Sequence, residues 1–263
     1  MLTENGGSVP SRPPALREQR LVQTREQRQR LDVDCNSCAM AQLCALGPCD
    51  AQPCERPNRA VHGVRTVRRG QSLYRAGDSF QSVYAVRAGS FKRVVMHRDG
   101  LEQLTGFDIA GDMLGIDGIS TGTHACDAIA LEDSSVCVMP FVLLQSLCRE
   151  IKEIQHRVHQ MLAAEIVRES SQMLLLGAMM AEERVAVFLV DLSERWQARG
   201  YSACSFTLKM TRREIGSYLG LKLETVSRMI TKLQKDGLIA VNGKDIRILD
   251  PDTLRNITAA DRQ

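Results

Sequence analysis

The stretch from Thr211 to Leu249 leaves the chain the fewest folding choices. Thr211-Arg-Arg-Glu214 is a capping box, with a threonine at the N-cap and a glutamate three residues on. It predicts a short helix through Tyr218. Leu219-Gly-Leu-Lys222 reads as a turn, and a second helix follows over about Leu223–Asp236, stopped by Gly237 as a C-terminal cap. Leu238–Leu249 is then a hairpin turning at Asn242-Gly243. Helix, tight turn, helix and hairpin make a winged helix-turn-helix, whose second helix enters the major groove of duplex DNA. Glu224, Ser227 and Arg228 share one face at its start. Arginine can bond guanine through two hydrogen bonds, glutamate can accept from cytosine, and serine adapts to either. Arg212, Arg213, Lys222, Lys232 and Lys235 surround that face and suit phosphates. On an ordinary helix pair these would be solvated charges; the capping box, turn glycine and wing together favour the DNA-reading interpretation.

Composition narrows the alternatives. The chain of 263 residues is long enough for two domains, with the 44% hydrophobic and 25% charged shares of a soluble globular protein. A net charge of +3 means that any nucleic-acid surface is a local patch. Aromatic residues at 4% argue against single-strand or RNA binding by base stacking. Residues 1–34 are polar and rich in Arg and Gln, with no apolar core of a secretory signal. The apolar run around Met173–Ala181 is too short to cross a bilayer, so no membrane partner is expected. Nine cysteines without an export signal point to a reducing cytoplasm, where thiols serve metals or redox chemistry. The histidines at 62, 97, 124, 156 and 159 are scattered, and no Ser-His-Asp, paired-carboxylate or phosphate-loop arrangement is seen; an enzyme is not expected.

Cys35, Cys38 and Cys44 form a C-x2-C-x5-C run, followed by Cys49 and Cys54. Three such close thiols can converge on one small centre. Thiolates suit zinc or iron held with sulfide, and spacing alone does not separate the two. Three is one short of the usual four, so a fourth ligand is expected from far along the chain. A thioredoxin-type redox pair would need a βαβ surround, which is missing.

Between these features the texture changes twice. After a disordered tail over 1–34 and the cysteine-rich segment over 35–60, short β-type runs follow over 61–145: Val64–Arg68, Ser72–Tyr74, Val83–Arg87, Phe91–Met96, Glu102–Phe107, Asp127–Leu131 and Ser135–Met139. Glycines at 70, 77, 89, 100, 106, 111, 115, 118 and 122 mark the turns. The pattern predicts an antiparallel β-roll or jelly roll. Phe141–Arg149 reads as a short helix, and Ile151 to about Met180 as a long one, within a dimerisation segment over 146–181. Ile151, Ile154, Val158, Leu162, Ile166, Met173 and Leu176 recur at coiled-coil spacing, with Glu169 on the same stripe. Two facing carboxylates about 6 Å apart would oppose self-pairing by roughly 3 kcal/mol at an effective dielectric near 20. A helix over roughly Glu182–Arg199 and a strand over Ser205–Lys209 lead into the DNA-reading motif of a domain over 182–252, and 253–263 reads as a tail. The fold class is α+β.

The order β-roll, long helix, winged helix resembles the CRP/FNR family of transcription regulators over about residues 61–250. The resemblance is carried by Gly70-Gln-Ser-Leu-Tyr-Arg-Ala-Gly-Asp78, Tyr84-Ala-Val-Arg-Ala-Gly89, Gln103-Leu-Thr-Gly-Phe107, Ala110-Gly-Asp112, Ala181-Glu-Glu-Arg184, Thr211–Leu221 and Glu224-Thr-Val-Ser-Arg228. The N-terminal cysteine run is similar to that of the FNR branch. The resemblance implies an oxygen-labile [4Fe-4S] cluster, a homodimer, and palindromic promoter sites of the TTGAT…ATCAA kind. It implies Cys35, Cys38, Cys44 and Cys137 as ligands, the last in Val136-Cys-Val-Met-Pro-Phe141. Cys126 competes on chemistry alone, and Cys148 and Cys204 read as small buried residues. It also implies Glu169 as a brake on dimerisation, and His97-Arg98-Asp99-Gly100 as a loop contacting RNA polymerase. Two departures stand out. Lys222 replaces the usual threonine N-cap, at a cost of about 1 kcal/mol. No arginine stands in Gly122-Thr-His-Ala125 to hold a phosphate, so no cyclic nucleotide is expected.

Overall fold

A computed structural model describes residues 63–96, 99–100 and 102–257. Cys35, Cys38, Cys44, Cys49, Cys54, His97 and Arg98 lie outside the described residues. Eight strands build the roll: β1 Gly63–Val67, β2 Ser72–Tyr74, β3 Ser82–Ala88, β4 Ser90–Met96, β5 Glu102–Ile109, β6 Met113–Leu114, β7 Asp127–Ala130 and β8 Ser134–Pro140. They form two antiparallel sheets, ordered β1-β8-β3-β6 and β2-β7-β4-β5. The two-residue β6 is too short to leave a pattern in the sequence. Gly89 (φ 86°) turns β3 into β4, and an added Cβ would sit 2.1 Å from Ser134 Oγ. Gly106 is not a turn: it lies inside β5, where a Cβ would meet the Arg93 guanidinium at 2.6 Å.

Strand alternation sorts the first sheet into two faces. Val86 and Val136 point into the roll, among Leu73, Tyr74, Phe91 and Ala128. Val83, Ala85, Cys137 and Met139 point outward, under Leu144 and Leu147 of helix α1 (Phe141–Glu150). Ile151 has an extended backbone and separates α1 from the long helix α2 (Lys152–Ala178).

Helix α3 (Ala181–Gln197) leads through β9 (Ser205–Thr207) to α4 (Arg212–Leu219), α5 (Leu223–Lys235) and the wing, β10 (Ile239–Asn242) and β11 (Asp245–Ile248). A further helix, α6 (Pro251–Asn256), occupies part of the expected tail; Asp250 caps it, accepting from Thr253 N at 3.0 Å, and Pro251 opens it. Leu254 of α6 is fully buried.

One apolar core joins the outer face of the second sheet (Val94, Leu104, Phe107) to Leu175 of α2, Phe188 and Leu189 of α3, and the winged helix. Phe107, Phe188 and Tyr218 meet ring to ring at 5.1–6.0 Å. Arg184 fastens the corner. Its guanidinium donates to the carbonyls of Met179 (2.9 Å), Leu176 (2.9 Å) and Leu219 (3.0 Å), satisfying the ends of α2 and α4 together.

Candidate nucleic-acid interface and sensory face

The capping box is formed as the sequence predicts. Thr211 Oγ1 accepts from Glu214 N at 3.2 Å, and Glu214 Oε2 accepts from Thr211 N at 2.7 Å. The other Glu214 oxygen takes Lys92 Nζ of β4 at 2.7 Å. Burial works against the Glu214 charge, but the bonds from Lys92 and Thr211 outweigh it and hold the carboxyl below its ordinary value. Gly220 ends α4 in the left-handed region (φ 64°). At Gly216 a Cβ would press on Leu221 O at 2.5 Å, so this glycine is what lets the turn close. Helix α5 buries Val226, Ile230 and Leu233 and exposes Glu224, Ser227 and Arg228. Arg228 Nη2 lies 3.5 Å from Thr225 Oγ1 on the same helix. Arg213 and Lys222 are exposed, and Arg212 is half-buried. Lys232 is half-exposed and pairs with Glu182 of α3.

Lys222 occupies the N-cap of α5 and makes no side-chain cap bond. Lys222→Ser should therefore stabilise the fold by about 1 kcal/mol in denaturant unfolding. It should also weaken duplex binding for all sequences alike and lower the slope of log K against log salt by about 1.

A charged hub lies where the roll, α2 and α3 meet. Arg93 reaches Asp108 at 3.1 Å and Glu165 at 2.6 Å. Arg168 lies 3.3 Å from Glu165 and 3.6 Å from both Asp108 and Asp112. Asp112 also takes Arg195 of α3 and Arg199 just past its end, and its Oδ2 accepts from Ile109 N at 2.8 Å. Arg195 further donates to Phe107 O at 2.8 Å. Burial opposes the Asp112 charge, but Arg195, Arg199 and Arg168 outweigh it and hold its carboxyl below the ordinary value. At Asp108 burial wins over Arg93, and the carboxyl is raised. The hub is a missed feature: its residues are far apart in sequence, and no local pattern marks them.

The long helix divides its apolar residues between two faces. Ile154 and Val158 pack on the Cys137 core. Leu162 is half-buried, whereas Ile166 and Met173 are 65% and 72% exposed. Leu176 is 38% exposed, and its Cδ2 would lie 3.1 Å from a Cβ at Gly220. The single expected stripe is thus redrawn: the described chain itself covers Ile154 and Val158, and Ile151 caps rather than continues the helix. Val167 and Leu174, at 64% and 50%, join Ile166 and Met173 on the open side. The Glu169 side chain is 61% exposed, with its carboxylate 4.0 Å from Arg93 of the same chain.

Cys137 is buried at mid-strand, paired in register with Val64 and Ala85. Cys126 points into the roll, where burial and Asp117 push its thiol up to about 12. Cys204 is exposed and Cys148 half-exposed, so neither is the buried residue expected. Among the described residues, no three His, Cys, Asp or Glu side chains are grouped to hold a metal ion. Inside the roll His124 stacks on Tyr74 at 3.8 Å, and Tyr74 Oη accepts from Gly115 N at 3.0 Å. Asp99 and Gly100 are exposed at the turn between β4 and β5.

A roll of this kind joined through a long helix to a winged helix with an open reading face defines a DNA-binding transcription regulator, not an enzyme. The Crp-like helix-turn-helix domain family matches residues 183–257, and the cyclic nucleotide-binding domain family matches residues 64–150. The chain is 42% identical over 217 residues to the transcriptional activator protein Anr of Pseudomonas protegens, covering 82% of this chain and 89% of that protein. It is 37% identical over 230 residues to the fumarate and nitrate reduction regulatory protein of Escherichia coli K12, covering 88% and 92%. The structure of FixK2 from Bradyrhizobium japonicum matches with a TM-score of 0.68 and 31% identity, covering 74% of this chain and 96% of that one. The chain belongs to the CRP/FNR family of transcription regulators. No helix among the described residues is long and apolar enough to cross a membrane.

Proposed function

We propose that this protein is a cytoplasmic, oxygen-responsive regulator that binds palindromic TTGAT-like promoter sites as a homodimer when it holds a [4Fe-4S] cluster. Cys35, Cys38, Cys44 and Cys137 are the ligands. When bound, the cluster supplies an oxygen-labile link between the N-terminal cysteines and the roll. The observation that carries this reading is the position of Cys137. Cys137 belongs to the apolar cluster against which Ile154 and Val158 of the long helix pack, so a ligand bond to its sulfur would be coupled to that helix. Cys126 points into the roll, where burial and Asp117 suppress its thiolate.

The residues then have distinct tasks. Ile166, Met173 and Leu176 of α2 meet their copies in a second chain, with Ile154, Val158 and Leu162 bracing the helix from below. Glu169 weakens that pairing, and Arg93 at 4.0 Å partly offsets its charge. Pairing sets two α5 helices about 34 Å apart, one turn of DNA, so Glu224, Ser227 and Arg228 of each copy read one half-site. The turn at His97–Gly100 contacts RNA polymerase. The Tyr74–His124 stack fills the interior of the roll in place of a cyclic nucleotide.

The test is anaerobic purification with iron, sulfide and zinc analysis, followed by operator binding under nitrogen and in air. The parent should carry about four irons and lose affinity in air, as oxygen removes the cluster. Cys137→Ser should be iron-poor, monomeric and weak on DNA under both atmospheres. A zinc-loaded or metal-free protein binding equally under both would overturn the proposal.

A further inference from the structure

We propose that the cavity between the outer face of the first sheet and helices α1 and α2 is a binding site for a small amphipathic carboxylate, meaning an apolar body with one anionic end. The cavity has a volume of about 450 Å³, within the range of roughly 300–1,000 Å³ typical of small-molecule sites. Its body is apolar, with Val83, Ile116, Phe141, Leu144 and Leu162 among the walls. At one end it opens onto the charged hub through Arg168 and Arg199. The solvent-facing rim carries Arg149 and His159, both exposed.

The charge at that end selects the ligand. Three guanidiniums line the cavity, those of Arg149, Arg168 and Arg199, against two carboxylates, Asp112 and Glu165. Both carboxylates are already taken: Asp112 by Arg168, Arg195 and Arg199, and Glu165 by Arg93 and Arg168. The donors are not used up. Arg168 Nη1 faces Glu165 at 3.3 Å and Asp108 at 3.6 Å, whereas Arg199 Nε is buried and has no hydrogen-bond acceptor among the described residues. Arg199 is fixed in place because it lies on Gly111, where a Cβ would come within 2.4 Å of its Nε. A buried N–H group without an acceptor, beside a second guanidinium at the end of an apolar slot, matches a carboxylate with a hydrocarbon body. A cation would meet guanidiniums, and a neutral alcohol would leave their charge unanswered. Burial pulls the Arg199 guanidinium below its ordinary value against the pull of Asp112.

The site does not rest on the proposed cluster, and its test is separate. Trp196 is the single tryptophan, one residue beyond Arg195 and three before Arg199, so its fluorescence reports on this corner. Full-length protein is titrated with decanoate, with decanol and decyltrimethylammonium as controls of the same chain length. Decanoate should give a saturable change, and each control should bind at least about tenfold more weakly, a difference of about 1.4 kcal/mol. Leu162→Phe, which narrows the slot, and Arg199→Gln, which removes the anchoring charge, should each weaken decanoate at least about tenfold. Ile116→Phe fills the slot from the opposite wall and gives the same reading if Arg199→Gln does not fold. Three outcomes would overturn the assignment: no saturation below about 1 mM, decanol binding as well as decanoate, or parent-like binding by the folded variants.

Discussion

Arg228→Ala should lower affinity for a palindromic operator about thirtyfold or more, and should do so through one base pair per half-site. A bidentate arginine contact to guanine is worth about 1–3 kcal/mol of discrimination. A two-fold symmetric complex loses it twice, or about 2–6 kcal/mol, and every 1.4 kcal/mol is tenfold. The structure explains why the loss should be local. Val226, Ile230 and Leu233 fix the buried side of α5, so removing an exposed side chain leaves the helix where it was. Arg228 already leans on Thr225 Oγ1 at 3.5 Å, a contact too long to hold it strongly. Binding to a panel of single-base operator variants checks this: preference at one symmetric position should flatten, with the salt slope nearly unchanged. Uniform weakening across the panel with a lower slope would make Arg228 a phosphate contact instead.

Where local chemistry decides the structure, the sequence was readable. Thr211, Glu214 and Gly220 each act within a few residues and form as predicted; the wing also forms, but turns one residue later than read, at Gly243-Lys244, with Asn242 paired to Asp245. Seven of the eight strands of the roll could be placed because glycines bracket β-rich runs. The long helix shows the limit. Its apolar residues recur at helical spacing, but spacing does not say which face a neighbour will cover. The described chain covers Ile154 and Val158 and leaves Ile166, Val167, Met173 and Leu174 open. Gly106 misleads for a related reason: its role is to make room for Arg93 from the adjacent strand, not to turn the chain. The hub around Asp112 had no signature at all, because Arg93, Asp108, Glu165 and Arg195 are brought together only by tertiary packing. Lys92 to Glu214 and Gln103 to Ser217 O at 2.6 Å are of the same kind, and tie the first helix of the reading motif to the roll.

The hub carries the second large effect: Asp112→Asn should lower unfolding free energy by about 3–5 kcal/mol, the cost of breaking a buried ion pair on one side. Without that charge, Arg168, Arg195 and Arg199 face each other with Asp108, Glu165 and the more exposed Asp191 nearby. Asp108→Asn is the control, and it should cost far less. The fold raises the carboxyl of Asp108, so burial already penalises its charge, and removing that charge relieves a cost that Asp112 does not carry. The two aspartates also act in opposite senses with pH. The lowered Asp112 group stabilises the fold above its ordinary value of 3.8, and this contribution is lost as pH falls through the still lower folded value. The raised Asp108 group does the reverse: it costs stability at neutral pH, and the cost is relieved as pH falls through a folded value above 3.8. Urea unfolding at about pH 7 and at steps down to about pH 3 separates them. Asp112→Asn should be weak at neutral pH and lose less than the parent on acidification, whereas Asp108→Asn should match or exceed the parent at neutral pH and lose more below it. Because Arg195 lies on the helix that leads into the reading motif and Arg199 just beyond its end, Asp112→Asn should also loosen operator binding in proportion to the lost stability, and equal losses from both variants would mean that the hub is held by packing rather than by charge.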